Sequence, residues 1–185
     1  MRDLLSPGPS PSAGANRLRA STGAAPFRVV LVEPEIPPNT GNIGRLCAAT
    51  SCPLHLVEPL GFRIDEHAVR RAGLDYWPLV RLQTHANFDA AREALCQAGS
   101  KRHWFFSGKA SRSYLDVSFE PGDSLVFGKE SSGLPEKLLL DNEPRTLGIP
   151  TLGQVRSLNL ANSVAIALYE ALRQVGALDG ATLAP

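Results

Sequence analysis

The stretch PPNTGNIGRLCA, residues 37 to 48, follows the apolar run FRVVLVE (residues 27 to 33) and decides how the fold is interpreted. The run is short and rich in β-branched residues, which predicts a buried strand. The stretch after it predicts a helix over residues 39 to 50, although two prolines, two asparagines and two glycines stand around its start. A strand that passes into a helix through such an elbow indicates a βαβ unit, and the elbow itself is a candidate ligand site.

The rest of the chain repeats this alternation of strand and helix. Helices of this length between strands favour a single α/β domain, with a mostly parallel sheet and helices on both faces. The predicted strands cover residues 27–33, 53–59, 78–83, 102–108, 123–128 and 145–150, and the predicted helices cover residues 39–50, 65–73, 87–99 and 157–175.

Composition and charge are those of an ordinary globular chain. The chain has 185 residues, of which 43% are hydrophobic and 20% charged, and its formal net charge is +1. The first 26 residues are rich in Pro, Ser, Gly and Ala and predict a disordered tail, with an organellar transit peptide as the alternative. This tail holds three arginines and one aspartate, so the remaining body carries a net charge of about −1. Any contact with RNA must therefore be local rather than driven by a global basic field.

Cysteine and histidine usage argues against a disulfide framework and against a metal site. The three cysteines, Cys47, Cys52 and Cys96, are few and odd in number, which is typical of buried thiols in a reducing cytoplasm. The four histidines never stand at ligand spacing with a cysteine. We therefore expect a cytoplasmic protein that binds neither a metal ion nor a membrane.

Four segments that follow predicted strands combine glycine or proline with small polar residues. Ligands of parallel α/β sheets bind in the loops beyond the carboxyl ends of the strands. Any one of these loops could be an ordinary turn, but four together favour a binding site. They are the elbow, SGKAS (107–111), GKESSGLP (128–135) and PTLGQVRSLN (150–159).

Common nucleotide and hydrolase motifs do not identify the ligand. The elbow has G-x-x-G at Gly41 and Gly44 but lacks the leading glycine of the dinucleotide fingerprint. The Gly-Lys pairs at residues 108–109 and 128–129 lack the upstream glycine and the following Ser or Thr of a P-loop. No G-x-S-x-G elbow of a hydrolase is present either.

The predicted C-terminal helix carries two apolar rows. One row suffices to face the domain's own core, so the second favours a homodimer, with a helix sandwiched inside its own fold as the alternative. At the start of this helix, Ser157 fits an N-cap better than Asn159. The first row is Leu158, Ala161, Ala165, Leu168 and Leu172, and the second is Leu160, Val164, Ala167 and Ala171.

Three sequence blocks, in this order, closely resemble the three motifs of the SPOUT class of RNA methyltransferases. A fourth block narrows the resemblance to the tRNA wobble-position ribose 2'-O-methyltransferases. The match covers the chain from Phe27 to Gly176. The three blocks are PEIPPNTGNIGRLCA (34–48), LVFGKESSGLP (125–135) and IPTLGQVRSLNLANSVAIALYEALRQ (149–174), and the fourth is GFRIDEHAVRRAGLDYW (61–77).

This resemblance implies a SPOUT methyltransferase domain over residues 27–176, flanked by tails at residues 1–26 and 177–185. It implies a deep trefoil knot in the C-terminal third, S-adenosylmethionine bound within it, and a homodimer. The substrate implied is tRNA, bound at its anticodon stem-loop and methylated on the ribose 2'-hydroxyl of position 34, a cytidine or a modified uridine. The positions matched to methyl-donor contacts are Phe106, Gly128, Ile149 and Ser157.

The same matching implies a set of polar residues needed for activity. A methyl sulfonium needs no electrophilic help, so the enzyme must place the 2'-hydroxyl in line with the S–methyl bond and assist proton loss. Arg45 would clamp the phosphate or ribose of the target nucleotide. Because a guanidinium holds its proton firmly, substrate phosphate, water or Glu130 would share the role of base. The implied active residues are Asn39, Arg45, Glu130, Ser157 and Asn159, and Tyr169 matches an aromatic residue on the last helix.

The second motif departs from the related pattern GPETRG, since residues 128–133 read GKESSG. Lys129 could supply the missing charge from a different position. Three alternatives stay open: an RNA- and cofactor-binding knotted protein without transfer, methylation of another tRNA or rRNA position, and an unrelated nucleotide-binding α/β enzyme. Further basic positions that could contact RNA are Arg63, Arg70, Arg71, Lys109, Arg112 and Arg156.

Overall fold

The structure, a computed structural model, describes residues 17–20, 26–63 and 76–184. The predicted helix over residues 65–73 lies outside these ranges, as do Arg70 and Arg71. The strands are β1 (Arg17–Arg19), β2 (Arg28–Val32), β3 (Leu54–Val57), β4 (Leu82–His85), β5 (His103–Phe106), β6 (Ser124–Phe127), β7 (Thr146–Leu147) and β8 (Thr182–Ala184). The α-helices are α1 (Pro37–Thr50), α2 (Phe88–Gln97), α3 (Glu136–Leu140) and α4 (Leu160–Gln174), and short 3-10 turns cover Trp77–Leu79, Tyr114–Asp116 and Glu143–Arg145.

Six strands form a parallel sheet in the order β4-β3-β2-β6-β5-β7. The α/β fold with a mostly parallel sheet is therefore confirmed. Alternate residues of β2 point to opposite faces of the sheet, as in any strand. Val29 and Leu31 pack in one core together with α1 and α4, whereas Val30 and Val32 pack in a second core against α2. Burial on both faces explains the continuous apolar runs that marked the strands in the sequence.

The strand predicted over residues 78–83 lies further along the chain than expected. Pro78 stands inside the 3-10 turn Trp77–Leu79, and β4 begins only at Leu82. A proline has no N–H to donate to a neighbouring strand, which favours the turn at this position.

Two expectations about α4 need correction. The helix begins at Leu160, and Asn159 is its N-cap, since the Asn159 side chain accepts hydrogen bonds from the N–H groups of Ala161 and Asn162. Ser157 lies two residues before this cap, so its assignment as the N-cap is wrong. The second apolar row is buried within the domain itself, with Val164, Ala167 and Ala171 all at 0% exposure. That row therefore gives no argument for a dimer, and the large apolar residues of α4 that remain exposed are Ile166 and Tyr169.

The segments predicted as tails contain a pair of short strands. β1 and β8 run antiparallel, with Leu18 opposite Leu183. This corrects the prediction of disorder for residues 17–19. Among the cysteines, Cys47 and Cys52 are buried, whereas Cys96 on α2 is exposed, so the expectation of three buried thiols is wrong for Cys96. Within the described ranges, no helix is both long and apolar enough to cross a membrane.

Two histidines form a stacked pair at the edge of the sheet. His55 on β3 is 2% exposed, and its ring lies 5.2 Å from the ring of His85 on β4, centroid to centroid. Nδ1 of His55 stands 3.0 Å from Nε2 of His85. Burial, followed by the charges of His85 and Arg28, lowers the pKa of His55 from 6.5 to about 4.

We expect the free energy of unfolding to fall as the pH falls from 6.5 towards 4. In this window the unfolded chain binds a proton that folded His55 does not, so acid favours the unfolded state. The two pKa values correspond to about 3 kcal/mol for complete passage through the window. Urea unfolding at pH 7 and pH 4.5 measures the change. A His55→Leu variant should show a clearly weaker pH dependence, and an unchanged dependence would contradict the assignment.

Candidate functional site

A cavity of about 810 Å³ lies beyond the carboxyl ends of β5, β6 and β7. Its wall includes the start of α1 and the three loops that follow those strands. All four loops that stand out in the sequence therefore meet at one place, as expected for a parallel α/β sheet. The predicted site residues that line the cavity are Asn39, Phe106, Gly128, Glu130, Ile149, Ser157 and Asn159.

Three of these residues form one hydrogen-bonded chain. The Asn39 side-chain amide donates to Oε1 of Glu130 over 2.8 Å. The Asn159 amide in turn donates to Oδ1 of Asn39 over 2.9 Å. Asn39 is only 6% exposed, so both of its amide atoms are held in a largely buried position. The chain joins three loops that are remote in sequence and fixes which way each amide points.

Glu130 also satisfies the N-terminus of α1. The N-cap residue Ile36 has no polar side chain, and the first turn of α1 carries no acidic residue. Instead, Oε2 of Glu130 accepts from the backbone N–H of Glu35 over 2.8 Å, and Oε1 accepts from that of Ile36 over 3.3 Å. A carboxylate at this place supplies the acceptor and the negative charge that a helix start favours.

A second set of hydrogen bonds joins the same two segments, this time with Glu35 as the acceptor. The Glu35 carboxylate accepts from both the backbone N–H and the hydroxyl of Ser131, over 3.1 and 3.0 Å. Both Glu130 oxygens already accept N–H groups, so Glu130 is better placed to orient Asn39 than to take up a substrate proton. This geometry argues against a share for Glu130 in the role of base.

We expect Glu130→Ala to lower the free energy of unfolding by about 1–3 kcal/mol, because it leaves the N–H groups of Glu35 and Ile36 and the amide of Asn39 without their acceptor. Urea unfolding measures the loss. Glu136→Ala, which removes the same group from an exposed site in the first turn of α3, is the matched control and should change stability by less than about 0.5 kcal/mol. Equal losses in both variants would show that the three acceptor contacts do not matter.

Two features shape the floor of the cavity. Phe106 and Phe127 stack with their ring centroids 4.6 Å apart and present an aromatic wall. At Gly128, a Cβ would stand 2.1 Å from the carbonyl carbon of Gly133 and 2.2 Å from the backbone nitrogen of Leu134. Only glycine allows the two backbone segments to approach so closely.

The segment before α4 forms the outer wall of the cavity. Residues 151–157 are exposed along their whole length, and Arg156 and Ser157 line the cavity from this side. The segment passes close to the loop after β5, since a Cβ at Gly108 would lie 3.5 Å from the carbonyl oxygen of Arg156. Ser157 thus offers its hydroxyl at an open rim.

Arg45 does not line the cavity of its own chain. It follows Asn39 by six residues on α1, which at about 100° per residue places the two side chains on different sides of the helix. Arg45 is exposed, and its guanidinium carbon stands 4.5 Å from the ring centroid of Tyr76. The structure thus brings together four of the five predicted active residues and leaves the arginine elsewhere.

Four of the basic residues expected to contact RNA divide into two groups. Lys109 and Arg156 line the cavity and are exposed. Lys129 instead pairs with Glu33, with 2.8 Å between its Nζ and Oε2, and this bond raises the pKa of Lys129. Arg112 donates to the carbonyls of Pro144 and Asp116. The positive charge of Lys129, which the related pattern lacks at this position, is therefore already paired with Glu33.

Sequence reasoning missed Glu33, Glu35 and Tyr76. Glu33 and Glu35 had one available signal, because both lie within three residues of the end of β2, at the edge of the sheet where the cavity lies. Among the described residues, no cluster of three or more His, Cys, Asp or Glu side chains could hold a metal ion.

Comparisons with known proteins identify the family of the chain. A model of the SpoU rRNA methylase family matches residues 26–169. The chain is 49% identical over 154 residues to the tRNA (cytidine(34)-2'-O)-methyltransferase of Saccharophagus degradans, covering 81% of this chain and 96% of that protein.

Two solved structures are also similar to this chain. A protein studied for the 2-OH methylation of C/U34 on tRNA superposes with a TM-score of 0.73 at 48% identity, covering 80% of this chain and 95% of the other. An AdoMet-bound rRNA methyltransferase from Sinorhizobium meliloti superposes with a TM-score of 0.67 at 25% identity, covering 82% of this chain and 57% of the other. With the matched region spanning the parallel sheet and all four loops of the cavity, the chain belongs to the SpoU rRNA methylase family.

Proposed function

We propose that this protein transfers the methyl group of S-adenosylmethionine to the ribose 2'-hydroxyl of nucleotide 34 of tRNA. The observation that carries the proposal is the meeting of all three family motifs around one cavity, where Asn39, Glu130 and Asn159 are joined by hydrogen bonds. Relatives that the chain matches over almost their whole length are named for this reaction, acting on cytidine 34. Position 34 lies in the anticodon loop, so the anticodon stem-loop is the proposed binding region. A tRNA substrate also supports a location in the cytoplasm.

The cavity has the properties expected of a methyl-donor site. Its volume lies within the range of small-molecule pockets. Phe106 supplies apolar surface, Gly128 lets the loop after β6 pack closely on itself at the cavity wall, and Ser157 offers a hydroxyl at the rim. Such groups suit an adenosine with a polar amino-acid tail. When bound, S-adenosylmethionine would supply a methyl group already activated by the positive sulfonium.

The residues of the protein then have to position the ribose 2'-hydroxyl that accepts the methyl group. Asn159 donates to Asn39, and Asn39 donates to Glu130, so both side chains are fixed at the cavity wall and can present amide groups to a ribose without reorganising. Ser157 and Arg156 stand at the open rim, where a nucleotide would enter. Exposed Lys109 and Arg156 are suited to the phosphates of the RNA backbone.

A homodimer would reconcile the position of Arg45 with a role in the reaction. Arg45 is exposed and lies outside its own chain's cavity, and α4 leaves Ile166 and Tyr169 exposed. A second copy could cover this apolar surface and receive Arg45 at its own cavity. In such an arrangement Arg45 clamps a phosphate or the ribose of the nucleotide bound to the partner.

The trefoil knot is also part of the proposal. The short segment of Leu147 and Gly148 is hydrogen-bonded to both ends of the loop 107–114, through Ser107, Arg112 and Tyr114. This supports a chain that passes through that loop before it reaches α4. An experimental structure in which the segment runs outside the loop would contradict the knot.

Nucleoside mass spectrometry tests the function. Unmodified tRNA is incubated with the protein and S-adenosylmethionine, and the digested nucleosides and anticodon fragments are analysed. We expect a 2'-O-methylated nucleoside at position 34, and none with Ser157→Ala.

Two other outcomes have clear meanings. Methylation at another position would redirect the proposal to another site of the RNA. Binding of S-adenosylmethionine and tRNA without any product would support a binding protein, the alternative favoured by the ion-paired Lys129 of the second motif.

A further inference from the structure

The elbow contacts an aromatic pair, Tyr76 and Trp77. The Trp77 ring contacts α1 at Gly44, where a Cβ would stand 2.8 Å from its Cζ3 atom. The hydroxyl of Tyr76 donates to the carbonyl oxygen of Gly41 over 2.8 Å. The elbow thus contacts two adjacent aromatic side chains, and only glycine at position 44 leaves room for Trp77.

The same pair holds the arginine of the elbow. The Arg45 guanidinium carbon lies 4.5 Å from the centroid of the Tyr76 ring, a distance typical of a cation–π contact. Tyr76 is itself fixed at two points, by its hydroxyl on Gly41 and by the edge-to-face contact with Trp77, whose ring centroid lies 6.5 Å away. Its ring therefore forms a rigid support next to the long, flexible arginine side chain.

The physical advantage of such a support is entropic. An exposed arginine samples many rotamers, and ordering it during catalysis costs free energy. A guanidinium that already stacks on a fixed ring loses less freedom when it meets a phosphate or ribose.

We propose that Tyr76 is a positioning residue that prearranges Arg45 for the methyl-transfer reaction, with Trp77 and Gly44 anchoring the pair to α1. The inference rests on the proposed function, in which Arg45 contacts the target nucleotide. It adds a residue from outside the three motifs and assigns Gly44 of the elbow to its support.

A double-mutant cycle on activity tests the positioning role. Tyr76→Leu should lower kcat for tRNA methylation about fivefold to tenfold, the effect of losing one cation–π contact. Tyr76→Phe keeps the ring and should stay within about twofold of the original protein. In an Arg45→Lys background, where the planar guanidinium is gone but a charge remains, Tyr76→Leu should have little further effect.

The control is Leu79→Ala, which changes an exposed side chain of the same 3-10 turn and should leave kcat unchanged. An equal fold-loss from Tyr76→Leu in both arginine backgrounds would show a merely structural role and overturn the inference. So would full activity of Tyr76→Leu.

An NMR measurement separates this inference from the proposed function. Ring current from Tyr76 should shift the Arg45 Nε–H proton upfield, and Tyr76→Leu should remove the shift while Tyr76→Phe keeps it. If the protein methylates no tRNA, the proposed function fails and the positioning role for that reaction fails with it, whatever the NMR shows. If the protein is active but the shift is absent, only the inference about Tyr76 fails.

Discussion

Gly128→Ala is expected to weaken binding of S-adenosylmethionine by about 100-fold or more, because the added Cβ displaces the wall of the cavity. That Cβ would stand 2.1 Å from the carbonyl carbon of Gly133, and backbone on both sides has to move to admit it. A shift of about 1 Å at a reacting centre is enough for a loss of this size. Overpacking of this kind should also lower the free energy of unfolding by about 1–3 kcal/mol. Isothermal titration with S-adenosylmethionine and urea unfolding measure the two effects.

Gly153→Ala is the matched control for this prediction. It makes the same substitution in the loop before α4, where a Cβ would meet no atom within 4 Å. Its affinity and stability should remain close to those of the original protein. Equal affinities in the two variants would mean that the close approach at Gly128 does not shape the donor site.

Heterodimers of Arg45→Ala and Ser157→Ala chains are expected to recover about half of the original activity, whereas each variant alone should lose about 100-fold or more. The reason is geometric, since Ser157 lines the cavity of its own chain and Arg45 does not. If Arg45 of one protomer serves the cavity of its partner, one of the two sites in a heterodimer contains both intact residues. Co-expression with two different affinity tags and tandem purification yields the heterodimer, and methylation of tRNA is then measured.

The control carries Arg45→Ala on both differently tagged chains and should stay inactive. Activity of the heterodimer no higher than that of either variant alone would place both residues in the same site. It would then contradict the proposed role for the dimer, while leaving the reaction itself untouched.

The fold was largely predictable because parallel strands are buried on both faces and appear as apolar runs. The runs at β2, β5 and β6 are of this kind, and each strand was found within the predicted range. Details that depend on tertiary contacts could not be predicted from the sequence. Whether the second apolar row of α4 faces a partner or its own core depends on how the helix lies on the sheet. Sequence periodicity does not give that orientation.

The meeting of Asn39, Glu130 and Asn159 follows from the rule that the carboxyl ends of parallel strands share one edge. Their partners could not be predicted in the same way. Glu130 stabilises a helix from a different part of the chain, which no local capping pattern reveals. The placement of Arg45 depends on its direction around α1 and on an aromatic ring more than thirty residues away in sequence. Local sequence carries neither piece of information.

The strand order also has a consequence for how the chain is made. The two central strands, β2 and β6, are neighbours in the sheet, yet α1, β3, β4, α2 and β5 all lie between them in sequence. While a ribosome is still producing that intervening part, one edge of β2 has no strand beside it. Newly synthesised amino-terminal halves therefore expose an apolar strand edge that can associate with other nascent chains until β6 emerges.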